Sequence, residues 1–200
     1  MIAVVDFGGG NLGSLRSGLE RRGASFVVTG DPAQLEDAAA AILPGDGAFG
    51  ATMAALAERG LADALRRFIG SGKPFLGICV GMQLLYEKSY EHDVYEGLGL
   101  LPGAIVRFRN APRVPHMGWN QLEIVGDHPF VRGIRNGDYV YFLHSYHADD
   151  ERSAVALCDY GEPFPAIVAR ENIMGTQFHP EKSQATGAVL LDNFLAIAGR

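Results

Sequence analysis

A cysteine between two glycines, Gly77-Ile78-Cys79-Val80-Gly81, follows an apolar run that reads as a strand and precedes a helix predicted over Met82–Glu87. Glycines two residues either side of a thiol permit a tight strand-to-helix turn that presents the side chain outward, the arrangement of a nucleophile elbow. A helix N-terminus at that point favours thiolate and offers the Val80 N–H to a developing oxyanion. A thiol nucleophile needs a base, and the base needs an orienting group. Gln177-Phe178-His179-Pro180-Glu181-Lys182-Ser183 supplies both, just past a strand predicted over Ile173–Phe178. Pro180 fixes the backbone between His179 and Glu181, so the carboxylate can hold one imidazole nitrogen while the other faces Cys79. A lone His-x-Glu is more commonly a surface pair, and it gains its meaning here from the cysteine elbow. Cys158 has no flanking glycines and reads as a buried structural thiol.

The elements that must position these groups alternate in the first half of the chain. Ile2–Asp6, Ser25–Val28, Ala39–Leu43 and Pro74–Ile78 read as strands. Between them lie helical patterns: Leu12, Leu15 and Leu19 ending at Gly23, a cap at Asp31-Pro32, and Thr52–Ile69 interrupted near Gly60. Strands separated by helices predict a parallel sheet with helices on both faces. The second half is different: Ala104–Phe108, Gln121–Val125, Tyr139–Leu143, Ala154–Leu157 and Ala166–Ala169 are short and turn-bounded. They predict an antiparallel extension of the sheet, closed by an amphipathic helix carrying Val189, Leu190, Phe194 and Ile197. The expected fold is a single α/β domain over residues 1–200, with a central, mostly parallel sheet. One glycine-rich loop, Pro44-Gly45-Asp46-Gly47, follows the third strand. It is either an ordinary turn or a place where a peptide can flip and bring backbone N–H groups to a reacting carbonyl.

Composition narrows the function classes. Lys+Arg 17 against Asp+Glu 23 gives 17 − 23 = −6, which argues against a grip on nucleic acid through phosphate neutralisation. Arg107, Arg109 and Arg113 form a small basic cluster that reads as a solvated face. Two cysteines are too few for a disulfide framework and lack metal-ligand spacing, so no metal and no cofactor are expected. No run approaches the roughly 20 apolar residues that span a bilayer, and no basic leader precedes Ile2. The sequence thus reads as a reduced, cytoplasmic protein.

The elbow, the Pro44–Gly47 loop and the Gln177–Ser183 stretch together resemble the triad (class I) glutamine amidotransferases, whose fold is flavodoxin-like. More narrowly, Asp6-Phe7-Gly8-Gly9-Gly10-Asn11-Leu12, Glu96-Gly97-Leu98-Gly99-Leu100, Val114-Pro115-His116-Met117-Gly118-Trp119-Asn120 and His144-Ser145-Tyr146 resemble the glutaminase subunits of imidazole glycerol phosphate synthases. That resemblance implies that Cys79 attacks the side-chain amide of glutamine, that His179 serves as base and then acid, and that Glu181 orients it. It implies glutamine and oxyanion contacts at Gly45, Gly47, Val80, Gln83, Ser145 and Tyr146. It also implies a partner in a heterodimer, a (β/α)8-barrel cyclase subunit that uses the ammonia in histidine biosynthesis. Asn11, Trp119, Tyr141, His144 and Lys182 are then expected near the interface or the ammonia exit. Asp46 departs from the pattern, since many members carry an apolar residue there. The alternatives are the glutaminase subunit of pyridoxal phosphate synthase, which lacks the Pro-His-Met-Gly-Trp-Asn stretch, a cysteine peptidase on a related fold, and a non-catalytic flavodoxin-like binding module.

Overall fold

Uninterrupted apolar tetrapeptides build the centre of the molecule. In a computed structural model that describes residues 1–9 and 12–199, β1 (Ile2–Val5), β3 (Ala40–Leu43) and β4 (Phe75–Ile78) are buried at every position, while β2 (Phe26–Thr29) lies at an edge. Strands apolar on both faces need cover on both faces, the condition of a parallel sheet. Helices α1 (Leu12–Glu20), α2 (Pro32–Asp37), α3 (Phe49–Glu58) and α4 (Leu61–Gly70) occupy the intervals between them. Asp31 caps α2 by accepting from the Ala33 N–H at 2.9 Å, with Pro32 in the first turn. The interruption expected near Gly60 is a left-handed residue, φ 68°, between α3 and α4.

After the single-turn helix α5 (Val80–Gln83), the chain is mainly strand: β5 (Tyr86–Ser89), β6 (Tyr95–Glu96), β7 (Leu101–Arg107), β8 (His116–Gln121), β9 (Glu123–Ile124), β10 (Tyr139–His144), β11 (Tyr146–Ala148), β12 (Ala154–Asp159), β13 (Pro163–Arg170) and β14 (Ile173–Thr176), then α6 (Gln184–Ile197). The main sheet has eight strands in the order β2-β1-β3-β4-β14-β13-β12-β9, parallel from β2 to β14 and antiparallel beyond. Among the helices, α1 contacts α6, while α4 contacts both α2 and α3.

Three expectations are corrected. The antiparallel strands do not all extend the main sheet: β7 joins β11, β5 and β6 in a second sheet, and β8 pairs with β10 in a separate two-stranded ribbon. The helix expected over Met82–Glu87 ends after one turn, because tertiary partners take its carbonyls. Leu84 O accepts from Leu98 N–H at 2.7 Å, Leu85 O from the Leu100 and Leu101 N–H groups at 2.8 Å, and Glu87 O from Gly97 N–H at 2.8 Å. The stretch around Trp119, for which the flanking Pro115 and Gly118 predict more loop than element, is strand β8, in register with β10 from His116↔His144 to Gln121↔Tyr139.

Candidate active site

Parallel pairing sets the end of β14 beside the end of β4, with Ile78 opposite Thr176, so the elbow and the His179 segment emerge together. Cys79 itself has φ 53° and ψ −113°, a conformation that costs a non-glycine residue about 1–3 kcal/mol. Its backbone is held from both ends. The N–H donates to Thr176 O at 2.7 Å, and the carbonyl accepts from Met82 and Gln83 N–H at 3.0 and 3.1 Å. The glycines around it are required for space. A Cβ on Gly77 would stand 2.5 Å from Gly81 O, and one on Gly81 would collide with Leu43 O. Gly45 lies against the same turn, where a Cβ would strike the Gly81 nitrogen, whereas Gly47 supplies a backbone φ of 112°. The Pro44–Gly47 loop is therefore seated backbone to backbone on the elbow.

His179 is 3% exposed, and its Nδ1 is 2.9 Å from Glu181 Oε1. Burial opposes a charge on this ring, but hydrogen bonding and charge from Cys79 and Glu181 outweigh it and raise the imidazole to about 10. The ring is thus positive near neutral pH. Asp46, the residue that departs from the pattern, places Oδ1 3.8 Å from His179 Nε2 while its side chain stays partly exposed. A single-turn helix has little macrodipole, so support for a thiolate must come from side chains and individual N–H groups rather than from α5 as a whole.

Above Cys79 opens a cleft of about 320 Å³. Of the expected residues, Gly47, Val80, Gln83, Ser145, Tyr146 and His144 line it; Gly45 packs against Val80 of that lining, and His179, bonded to Glu181, lies 3.8 Å from its Asp46. The cleft also includes Pro115, from the Val114–Asn120 stretch, and Glu91 and Leu143, which sequence reasoning did not single out. Glu91 Oε2 accepts from the Phe49 N–H at 2.7 Å, which ties a distant loop to the start of α3. No local signal marks it, because the link spans 42 residues.

The remaining expected residues separate. Trp119 and Tyr141 are paired across the β8–β10 ribbon on its outward face, with ring centroids 6.0 Å apart. Met117, Tyr139 and Leu143 are exposed on the same face, which sequence reasoning missed because the alternation shows only once β8 is known to be a strand. Lys182 lies in the short turn Pro180–Lys182, next to Ser183, which joins Trp119 and Tyr139 in a shallow surface depression. His144 points the other way and is buried. Its Nδ1 is 2.9 Å from Tyr146 O, an acceptor only, so Nδ1 carries the proton and Nε2 accepts from His116 Nδ1–H at 3.1 Å. Burial pushes His116 down to about 4 and His144 down to about 3, leaving two neutral rings. Asn11 lies outside the described residues. Cys158 is buried and its thiol is pushed up to about 12 by burial, an inert cysteine. Among the described residues no group of three or more His, Cys, Asp or Glu is placed to hold a metal ion, and no helix is long and apolar enough to cross a membrane.

A cysteine held at positive φ, a histidine paired with a carboxylate and a glycine loop seated beside them stand together at the end of a mostly parallel sheet. The class I glutamine amidotransferase family model matches residues 3–198, and the chain belongs to that family. Its relatives are more particular. It is 50% identical over 204 residues to the imidazole glycerol phosphate synthase subunit HisH of Halobacterium salinarum, covering 97% of this chain and 92% of that one. It is 46% identical over 206 residues to the subunit of the same name from Salinibacter ruber, covering 98% and 94%. A crystal structure of a glutamine amidotransferase superimposes with a TM-score of 0.78 at 22% identity, covering 100% and 99% of the two chains, a likeness of fold.

Proposed function

We propose that residues 1–200 act as one glutaminase domain in which Cys79 is the nucleophile, His179 the acid–base group and Glu181 its orienting partner. Glutamine occupies the cleft with its side-chain amide over Cys79, held by Gln83, Ser145 and Tyr146, while the Glu91 carboxylate suits its α-ammonium. Sγ attacks the amide carbon, and the oxyanion is met by N–H groups of Val80 and of the Gly45–Gly47 loop. The imidazolium hands its proton to the departing nitrogen, ammonia leaves, and water resolves the glutamyl thioester. The observation that carries this reading is the Cys79 backbone, held at a positive φ beneath a cleft and coupled to a buried His179–Glu181 pair.

The ammonia passes to a cyclase subunit in a heterodimer that makes imidazole glycerol phosphate in the cytoplasm. The support for such a partner, beyond the relatives, is the apolar ribbon face of Met117, Trp119, Tyr139 and Leu143, a surface of the composition that anchors protein interfaces. Its strand is wired to the base: Tyr141 O accepts from His179 N–H at 3.1 Å, and Ser183 Oγ bridges Tyr141 N–H and His179 O. The test is a glutaminase assay with and without the cyclase subunit and its nucleotide ligand, together with a diazo or chloroketone glutamine analogue. Labelling confined to Cys79 and partner-dependent turnover are expected. Glutamine hydrolysis by a Cys79→Ala chain would overturn the assignment.

A further inference from the structure

Behind the cleft, three amides form a chain that ends on the nucleophile. Gln177, fully buried, points Nε2 at Cys79 Sγ from 3.8 Å. Its Oε1 accepts from Gln83 Nε2 at 3.0 Å, and the same Gln83 nitrogen donates to Tyr146 O at 2.9 Å. The orientation of both side chains follows from that last contact. A backbone carbonyl only accepts, so Gln83 must present its NH₂ group there and to Gln177. Gln177 therefore offers oxygen to Gln83 and keeps its own N–H for sulfur. The opposing contact of Sγ is Leu143 O at 4.0 Å, which only a protonated thiol can satisfy. One neighbour favours thiol and the other favours thiolate. With α5 a single turn, an amide donor is the kind of group that can stabilise the anion in its place.

We propose that Gln177 is a further residue of the reaction, a hydrogen-bond donor that stabilises and aims the Cys79 thiolate, and that Gln83 positions it. The proposal rests on Cys79 being the nucleophile. Because Gln83 and Tyr146 also line the cleft, the wall that receives glutamine and the sulfur that attacks it share one hydrogen-bonded line. The other titratable groups facing this thiol are His179, backed by Glu181, and Asp46, Glu91, His144 and Tyr146 in the cleft. The variants below leave all of them in place.

Two replacements isolate the donor. Gln177→Glu keeps the shape and the acceptor for Gln83 but, ionised, offers sulfur no proton. Gln177→Met removes the polar group at similar length. The readout is the pH dependence of Cys79 alkylation by iodoacetamide, scored on the Cys79 peptide by mass spectrometry, alongside kcat and KM for glutamine in the assembled complex. Both variants are expected to move the alkylation profile about one pH unit to the alkaline side. The loss in kcat should be about 10- to 100-fold, with KM changed less than about threefold, as for removal of an interaction made to the reacting centre. A folded variant with a wild-type alkylation profile and kcat within twofold would overturn the role. Should neither variant fold, the wild-type chain answers: the Gln177 side-chain N–H resonances must shift when Cys79 ionises, and their failure to do so overturns the proposal equally. Cys79→Ala separates the two failures. If that chain still hydrolyses glutamine, the nucleophile is wrong; if it is dead while Gln177→Glu is normal, only Gln177 is wrong.

Discussion

Replacing Glu181 by glutamine removes one charge and leaves the shape of the site intact. In the wild-type protein Glu181 Oε1 lies 2.9 Å from His179 Nδ1, and both side chains are nearly sealed, 6% and 4% exposed. A hydrogen bond to a charged group in such surroundings contributes about 1.5–3 kcal/mol. At about 1.4 kcal/mol per tenfold in rate, its loss predicts a fall in kcat/KM of roughly 10- to 150-fold. The glutamine Oε1 can still accept from Nδ1–H and hold the ring's tautomer, so measurable activity should survive. His179→Asn is more severe: it removes proton transfer, about 10²–10⁴-fold by itself, and also the positive ring beside Cys79. The same energy predicts a pH signature. The imidazolium of the wild-type site persists to about 10, and losing its carboxylate should bring the alkaline limb of kcat/KM down by about one to two pH units. The assay is glutamate release over pH 6–10 in the complex with the cyclase subunit. Equal and complete inactivation by both variants would refute the reasoning, and so would a Glu181→Gln enzyme whose alkaline limb does not move.

Cys79→Ser should abolish glutamine-dependent synthesis while ammonium salts still support the cyclase, because a hydroxyl ionises far less readily than a thiol; loss of the ammonium reaction in an assembled complex would contradict that division of labour. Glutamine hydrolysis should be slow in the free chain and rise on docking, and Asp46→Asn, which neutralises a partly exposed carboxylate 3.8 Å from His179 Nε2, should raise the free rate by up to about fivefold. An unchanged rate would remove Asp46 from the gating. Trp119, 45% exposed and the only tryptophan, should shift or quench its emission when a tryptophan-free cyclase is titrated in, and Trp119→Ala should weaken association by about 2 kcal/mol, near 30-fold in Kd. Emission unmoved by saturating partner would place the interface elsewhere. His116 and His144, lowered by burial to about 4 and about 3, refuse protons that the unfolded chain accepts below about 6.5, so their contribution to stability is lost as pH falls from 6.5 toward 4. His179 acts in the opposite sense, its contribution present below about 6.5 and lost as pH rises toward 10. Thermal melts should therefore fall between pH 7 and 5, and His116→Gln should flatten that slope; an unchanged slope would show that His116 does not carry it.

The candidate chemistry is legible in the sequence because it is local. A glycine-flanked cysteine and a His-Pro-Glu each encode their geometry within five residues, and Gly60, Asp31 and Pro32 punctuate the first half by local backbone preference alone. Strands separated by helical patterns likewise predict a parallel sheet covered on both faces. What the sequence by itself could not decide was every feature whose partner lies far along the chain. Tyr86–Ser89 follows a helical signal, yet its neighbouring carbonyls are claimed by Gly97–Leu101, so β5 forms instead of another helical turn. Trp119 sits in a strand because Tyr141 stands opposite it, and only that pairing gathers Met117, Tyr139 and Leu143 onto one exposed face. The resemblance puts His144 near the docking face or the ammonia exit without saying which way it points, and the pleat of β10 turns it inward, where it bonds His116 and lines the cleft. Gln177 shows the same limit most sharply. It opens the recognised Gln177–Ser183 stretch, but its donor finds sulfur only because β14 pairs in register with β4 and Gln83 fixes its amide from 94 residues away. Side-chain type and local spacing pick out the candidate reactive groups; the long-range hydrogen bonds of the sheet decide which atoms face them.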